Sequence, residues 1–254
     1  GTQMGFGIHQ LMSAMMWEMD TVKGEQFGEV AEGMPESNED FTEHIVKIRQ
    51  GIKWSDGEDL NADDVVFTFN MIMSNKGISQ CDYYNTVFAS VEKVDDYTVK
   101  ITTPGPSAIL LNDLCHHGNA IVPKKLIDEG HDFNEDPIGT GPYKLVEWKR
   151  GDSLTFEAFD EYFLGAPKIK NMTWKIIPEG SSRTIALEAG EVDLVVEVEA
   201  MDGDRLKENS DITVLEYNDT SLSWLMLNNE KPGLDNVNVR KAMDCAIDKE
   251  SVIA

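Results

Sequence analysis

Cysteine is scarce and odd in number. The 3 cysteines among 254 residues, Cys81, Cys115 and Cys245, lie far apart. They form neither a disulfide framework nor a Cys-x-x-Cys metal knuckle, and we expect buried free thiols. Basic charge is also scarce: 22 Lys and Arg against 46 Asp and Glu give a net charge of −24. That balance repels nucleic acid and leaves no sustained basic patch for phosphates, so nucleic-acid binding is excluded. No apolar run approaches the ~20 residues of a membrane span. A Gly-rich phosphate loop, a Gly-x-Ser-x-Gly elbow and a His-Glu-x-x-His helix are all missing, so no catalytic constellation stands out. Carboxylates are plentiful, but the separation a glycosidase pair requires is not set by sequence. The sequence opens at Gly1 without a charged n-region and an apolar h-region. We expect that any secretion signal has been removed or was never present.

What is present fits a folded, water-soluble chain: 41% hydrophobic and 27% charged residues, with length for one large domain or two of ordinary size. The segment Asp136-Pro137-Ile138-Gly139-Thr140-Gly141-Pro142-Tyr143 concentrates prolines and glycines and predicts a tight bend. Alternation over residues 143–148 and 153–156, around Arg150-Gly151-Asp152, then predicts a hairpin. The Arg-Gly-Asp tripeptide is better read as the hairpin's turn than as an adhesion motif.

Upstream, residues 2–19 carry Leu11, Met12, Met15, Met16 and Trp17 in a pattern compatible with a helix. Core packing explains that face first, although a methionine cluster also suits an adaptable ligand surface. Turns are expected at residues 20–24, 37–40 and 54–57, with a half-exposed strand within 41–50. Asn61 is placed to cap a helix whose first turn holds Asp63 and Asp64, whose buried face holds Val65, Phe69 and Ile72, and which stops at Gly77. Residues 91–94 and 97–101 flank Asp95-Asp96 as a hairpin, and Ser107 opens a short helix through Leu114. His116-His117 invites a metal reading, but adjacent strand side chains point to opposite faces and no third ligand is evident.

A short buried strand is expected at residues 120–122, with Pro123 in the first turn of the next helix. Beyond the hairpin we expect a strand around Met172, Trp174 and Ile176, then a helix capped by Ser181 or Ser182 and ending near Gly190. A strand at 192–196, a helix–strand exchange over 201–217 and a strand at 223–227 follow. Asn236 precedes a helix with Val239, Met243, Ala246 and Ile247 on one side, and Asp248 is placed to cap another. That last helix has barely begun at Ala254, which leads us to expect a piece of a longer chain.

Four blocks then occur in one order. They are Ile48-Arg49-Gln50-Gly51-Ile52-Lys53-Trp54-Ser55-Asp56-Gly57, running on through Leu60-Asn61-Ala62-Asp63-Asp64-Val65-Val66-Phe67; Ile138-Gly139-Thr140-Gly141-Pro142-Tyr143, with Asp160, Tyr162, Gly165 and Pro167; Ala186-Leu187-Glu188-Ala189-Gly190-Glu191-Val192-Asp193; and Asn228-Asn229, Pro232, Val239-Arg240, Ala242 and Ala246-Ile247-Asp248. From about residue 29 onward the chain resembles the extracellular solute-binding proteins of family 5, the dipeptide-, oligopeptide- and nickel-binding components of ABC importers.

The resemblance implies an α/β, periplasmic binding protein-like fold of type II and the peptide-binding class, with mixed sheets and flanking helices. It implies a first lobe formed by residues 1–33 and 149–254, with a small domain inserted at 34–148, and a C-terminal lobe that is absent. It implies two hinged lobes that close over a ligand. No chemistry, cofactor or metal is expected. The implied partners are a small peptide or related solute and a membrane permease, and the implied location is extracytoplasmic, in the periplasm or as a cell-surface lipoprotein with its signal removed. Nickel chelates, haem, glutathione and oligosaccharides are ligands of relatives, and a carboxylate-dependent hydrolase or a receptor module are the alternatives. Peptides would be held largely through backbone hydrogen bonds. Placed by position between the motifs, the candidate contacts are Gln3, Met4, Tyr84, Ser223 and Trp224. Packing of Met4, Tyr84 and Trp224, and plain exposure of Gln3 and Ser223, would explain each of them without a ligand. Uncovered apolar surface on a lone lobe would favour self-association.

Overall fold

The computed structural model describes residues 3–20, 22–75, 86–107, 110–115, 117–216 and 224–249, with only the backbone described for 3–6 and 117. The chain divides into two compact units, Gly1–Pro178 and Glu179–Ala254.

In the first unit, helix α1 (Gln3–Met12) precedes the hairpin of β1 (Trp17–Asp20) and β2 (Glu25–Gly28), which turns at Gly24 with φ +70°. A four-stranded sheet follows in the order β3 (Glu36–Ser37), β4 (Glu43–Lys47), β6 (Thr98–Thr102), β5 (Ser90–Asp95). Inward Val46 opposes Val99, and His44 opposes Ile101, so that apolar positions of neighbouring strands face one core. Helix α2 (Ala62–Ser74) covers this sheet. Short helices α3 (Leu110–Leu114) and α4 (Lys124–Asp128) lead to a three-stranded sheet in the order β7 (Tyr143–Lys149), β8 (Ser153–Ala158), β9 (Asn171–Lys175). Every ladder among the described residues is antiparallel. The α/β class, with helices flanking sheets, is the one expected.

Two cores form. One runs from Ala14, Met16 and Trp17 through Val46, Trp54 and Phe69 to Leu114 and Ile121. The other gathers Tyr143, Leu154 and Phe156, with Ile8, Leu11 and Met12 of α1 laid against them. The cap of α2 is as anticipated: the Asn61 side chain accepts from the Asp63 N–H, and the Asp64 carboxylate accepts from the Asn61 N–H at 3.1 Å. The helix ends at Ser74, and the anticipated stop Gly77 lies outside the described residues, as does Cys81.

The second unit holds α5 (Gly180–Glu188), α6 (Ala200–Lys207) and α7 (Val237–Ala246). Asn236 caps α7, its side chain accepting from the Asn238 N–H at 2.9 Å.

Several expectations are corrected. The helix expected over residues 2–19 stops at Met12, because acceptors distant in sequence take the N–H groups of Ala14 and Met15, and Met15 and Met16 are buried outside any helix. Residues 120–122 make no strand: the Ile121 N–H goes to the Ala14 carbonyl and the Val122 N–H to the Thr68 hydroxyl. Pro123 is the N-cap of α4 rather than its first helical residue. Glu179, not Ser181 or Ser182, stands at the N-cap of α5. Residues 192–196, 212–216 and 224–228 form no ladder, and Leu194 and Val196 stay exposed. The cysteines expected to be buried are half-buried at Cys115 and exposed at Cys245.

Candidate functional site

The bend at residues 139–143 grips the end of α1. The Gly141 N–H donates to the Met12 carbonyl at 2.9 Å, and the fully buried Thr140 hydroxyl accepts from the Ala14 N–H at 3.2 Å. A Cβ on Gly139 would lie 1.9 Å from the Met12 oxygen, and one on Gly141 2.4 Å from the Met12 carbonyl carbon. Both glycines are therefore demanded by close approach of two backbones, with no positive φ involved. On its other side the bend is held to Ser55: the Ser55 N–H donates to the Gly139 carbonyl at 2.8 Å, and Lys144 Nζ donates to the Ser55 carbonyl at 2.8 Å. The Tyr143 hydroxyl donates to the Ile169 carbonyl at 3.1 Å.

Beside this grip, Glu29 is 8% exposed, and its Oε2 accepts the Met15 N–H at 2.7 Å. Its Oε1 receives the Tyr162 hydroxyl at a long 3.4 Å. Burial, seconded by the charge of Glu18, pushes the Glu29 carboxyl up to about 7, against an ordinary 4.5. Burial likewise raises Tyr162, with the Glu29 charge adding to it, and pushes the Cys115 thiol up to about 11. Carboxyl, phenol and thiol are thus all displaced toward their neutral forms. A thiol so raised is a poor nucleophile at neutral pH. The cluster holds protons between β1, β2 and the loop after β8, and nothing in it resembles a nucleophile with its base.

Sequence reasoning passed over Glu29, and placed Thr140 in the bend without giving its side chain a partner. The available signal for Glu29 was a lone acid directly before Val30-Ala31, two fully buried apolar residues. Thr140 offered none, because its partner is a backbone N–H 126 residues away.

Of the candidate contacts, Gln3 and Met4 occupy the first turn of α1. Tyr84 and Ser223 lie outside the described residues. Trp224 belongs to the second unit and is 72% exposed, followed by exposed Leu225 and Met226, so packing within its unit does not account for it. Gln3 and Met4 are neighbours by chain. The described residues hold no group of three or more His, Cys, Asp or Glu side chains placed for a metal ion.

Residues 26–254 match the family model described as bacterial extracellular solute-binding proteins, family 5 middle. The oligopeptide-binding protein AppA of Bacillus subtilis is 33% identical over 219 residues, 82% of this chain and 40% of that protein. The dipeptide-binding protein of Escherichia coli is 30% identical over 253 residues, 89% of this chain and 47% of that protein. Among solved structures, a dipeptide binding protein from Pseudoalteromonas sp. SM9913, in complex with Met-Leu, shares the fold with a TM-score of 0.90 at 21% identity, over 99% of this chain and 54% of that one. AppA of B. subtilis, in complex with a nonapeptide, superposes with a TM-score of 0.84 at 27% identity, over 100% of this chain and 51% of that one. The chain spans about half the length of the relatives it matches.

Proposed function

Because this chain belongs to the bacterial extracellular solute-binding proteins of family 5, we propose that it captures a peptide-like solute outside the cytoplasm and delivers it to the permease of an ABC importer. The observation that carries this reading is the family match over residues 26–254. The ligand class draws support from relatives named for oligopeptides and dipeptides. The protein performs no chemistry in this reading; its location is the periplasm, or the cell surface as a lipoprotein.

The division into residues 1–33, an insertion at 34–148, and 149–254 belongs to the same proposal. Support comes from the two cores of the first unit, one drawing mostly on residues inside the insertion and the other joining α1 to β7–β9. The bend at 139–143 is then the return from the insertion. Gln3, Met4, Tyr84, Ser223 and Trp224 are proposed to face the ligand, with the peptide backbone held by hydrogen bonds along one wall of the cleft.

Titration calorimetry of the complete gene product with dipeptide to nonapeptide mixtures tests the function. Saturable binding with peptide recovered unchanged is expected, and conversion of the bound peptide would overturn the proposal. The 254-residue chain alone is expected to bind weakly. A dissociation constant tighter than about 1 µM for that chain would show that one wall suffices.

A further inference from the structure

Glu29 joins three separate segments of the first unit. Its backbone lies directly after β2, its Oε2 accepts the Met15 N–H at 2.7 Å, and its Oε1 faces the Tyr162 hydroxyl of the loop after β8 at 3.4 Å. The charged and titratable side chains around it are Glu18 on β1, Arg49 after β4, Cys115 just after α3, and Tyr162 itself. The charge acting on the carboxyl is that of Glu18, of the same sign, and Arg49 donates its Nε–H to the Glu29 backbone carbonyl at 3.2 Å. An ionised Glu29 is therefore 8% exposed beside a second carboxylate, with one short hydrogen bond and one long one. Taking such a charge out of water is costly unless it is paired and fully hydrogen-bonded. Hydration relieves that cost, so the weakest wall of the site decides what ionisation does. On one side Met15 is 2% exposed, and its carbonyl accepts the Val30 N–H at 3.0 Å, so burial and backbone both hold it. The loop 160–165 is held differently. Its turns close on themselves, with the Tyr162 N–H on the Phe159 carbonyl at 3.0 Å and the Gly165 N–H on the Tyr162 carbonyl at 2.9 Å. Asp160, Glu161, Leu164 and Gly165 are exposed, and the half-buried side chains are Tyr162 and Phe163, their rings 4.8 Å apart. Phe163 rests against the larger core. The loop can lift by withdrawing these two rings while its own turns stay intact.

We propose that Glu29 and Tyr162 form a proton-operated latch: with Glu29 neutral the loop 160–165 lies closed over the carboxyl, and with Glu29 ionised the loop lifts and water reaches the carboxylate. The latch lies wholly within the first unit and does not rest on the peptide reading. Burial holds the Glu29 carboxyl at about 7 in the closed form, and a hydrated carboxyl returns toward 4.5. Opening therefore releases a proton, and the ratio of open to closed loop rises by up to about tenfold per pH unit between about 5 and 7, then levels off.

The test follows the 254-residue chain by NMR from about pH 5 to pH 8, reading the carboxyl carbon of Glu29 and the rings of Tyr162 and Phe163 with a water-soluble paramagnetic agent present. The relaxation that the agent induces in both rings should rise with pH and level off once the Glu29 carboxyl has titrated. The Tyr162 phenol, raised by burial, stays protonated throughout this range. Phe163 has no titratable group, so its exposure reports movement of the loop rather than a change of charge nearby. Glu29→Gln cannot ionise and should keep both rings sheltered at every pH. Glu18→Gln removes the like charge and should move the rise to lower pH without abolishing it. The proposal is overturned if Glu29 titrates while both rings stay sheltered, if its carboxyl is already ionised at the lowest pH, if the rings of Glu29→Gln become exposed as the parent's do, or if Glu18→Gln abolishes the rise.

Discussion

The two units handle their apolar residues differently. Beyond residue 178, Ala186 and Leu206 are the buried apolar residues among those described, whereas the first unit buries Trp17, Trp54, Phe69 and Phe156 almost completely. In the second unit Leu194, Met201, Leu215, Trp224, Leu225 and Met226 all stand in the open. Burial of apolar surface is the main favourable term in folding, at about 25 cal/mol per Å². A unit that buries so little cannot offset the conformational entropy of ordering its chain. The sharpest way to break the comparison is to separate the units. Residues 1–178 expressed alone should unfold in one cooperative thermal transition followed by circular dichroism, and 179–254 alone should show none. A cooperative melt of the second piece would mean that α5, α6 and α7 support one another without a larger core.

Two glycines sharpen the contrast. At Gly139 a Cβ would sit 1.9 Å from the Met12 carbonyl oxygen, so backbone would have to move. Gly139→Ala should cost about 3 kcal/mol or more, read as a lowered urea midpoint with unchanged slope. Gly190 closes α5 with φ +71° and has nothing within 4 Å of its Cβ position. Gly190→Ala should therefore cost about 1 kcal/mol, from backbone conformation alone. Equal losses would contradict the close-approach explanation of the bend.

Glu29 gives the first unit a pH dependence that the second has no buried carboxylate to match among the described residues. Its folded pKa of about 7 lies above its ordinary 4.5, so the folded state binds the proton more tightly than the unfolded one. The stability this contributes is complete below pH 4.5 and is lost as pH rises through 7. The difference between pH 4 and pH 8 is about 3 kcal/mol at most, and smaller if water reaches the carboxylate. Glu29→Gln keeps an acceptor for the Met15 N–H and cannot ionise. It should raise the urea midpoint at pH 8, leave it nearly unchanged at pH 4, and flatten the profile between. A variant less stable at pH 8 than the parent would show that the ionised carboxylate is favoured where it stands.

What was legible in the sequence follows the same division. Local signals in the first unit were honoured in part: Asn61 with Asp64 stands at a helix start, the hairpin expected around Asp95-Asp96 forms with its turn one place later at Asp96-Tyr97, and alternation holds through β8 while β7 carries a bulge between Leu145 and Glu147. Each acts over a few residues, and the core supplies the partners that make it pay. Long-range acceptors were not legible. The Thr140 hydroxyl and the Glu29 carboxylate end α1 by taking N–H groups that a helix from residue 2 to 19 would have used internally. In the second unit the strand pattern of 192–196 was plain, yet a strand needs a neighbour, and the Glu191 and Val192 N–H groups turn back to the Ala186 carbonyl instead. The candidate contacts were chosen by their places between motifs, which fixes neither exposure nor proximity.

The smallest expected effect concerns the two asparagine caps, which are chemically alike. Asn61 accepts from the Asp63 N–H at 2.8 Å and opens a helix that buries Val65, Phe69 and Ile72. Asn236 accepts from the Asn238 N–H at 2.9 Å and opens a helix with no buried residue among those described. Asn61→Ala should lower global stability by about 1 kcal/mol, because loosening α2 loosens the sheet beneath it. Asn236→Ala removes the same bond, yet α7 unfolds locally at little cost to the rest, so the global midpoint should move by less than about 0.5 kcal/mol. Amide hydrogen exchange separates the cases: exchange in α2 should follow global unfolding, and exchange in α7 should be fast in the parent and faster in the variant. If Asn236→Ala instead lowered the midpoint as much as Asn61→Ala does, α7 would belong to the cooperative core, and the contrast between the two units would have to be drawn elsewhere in the chain.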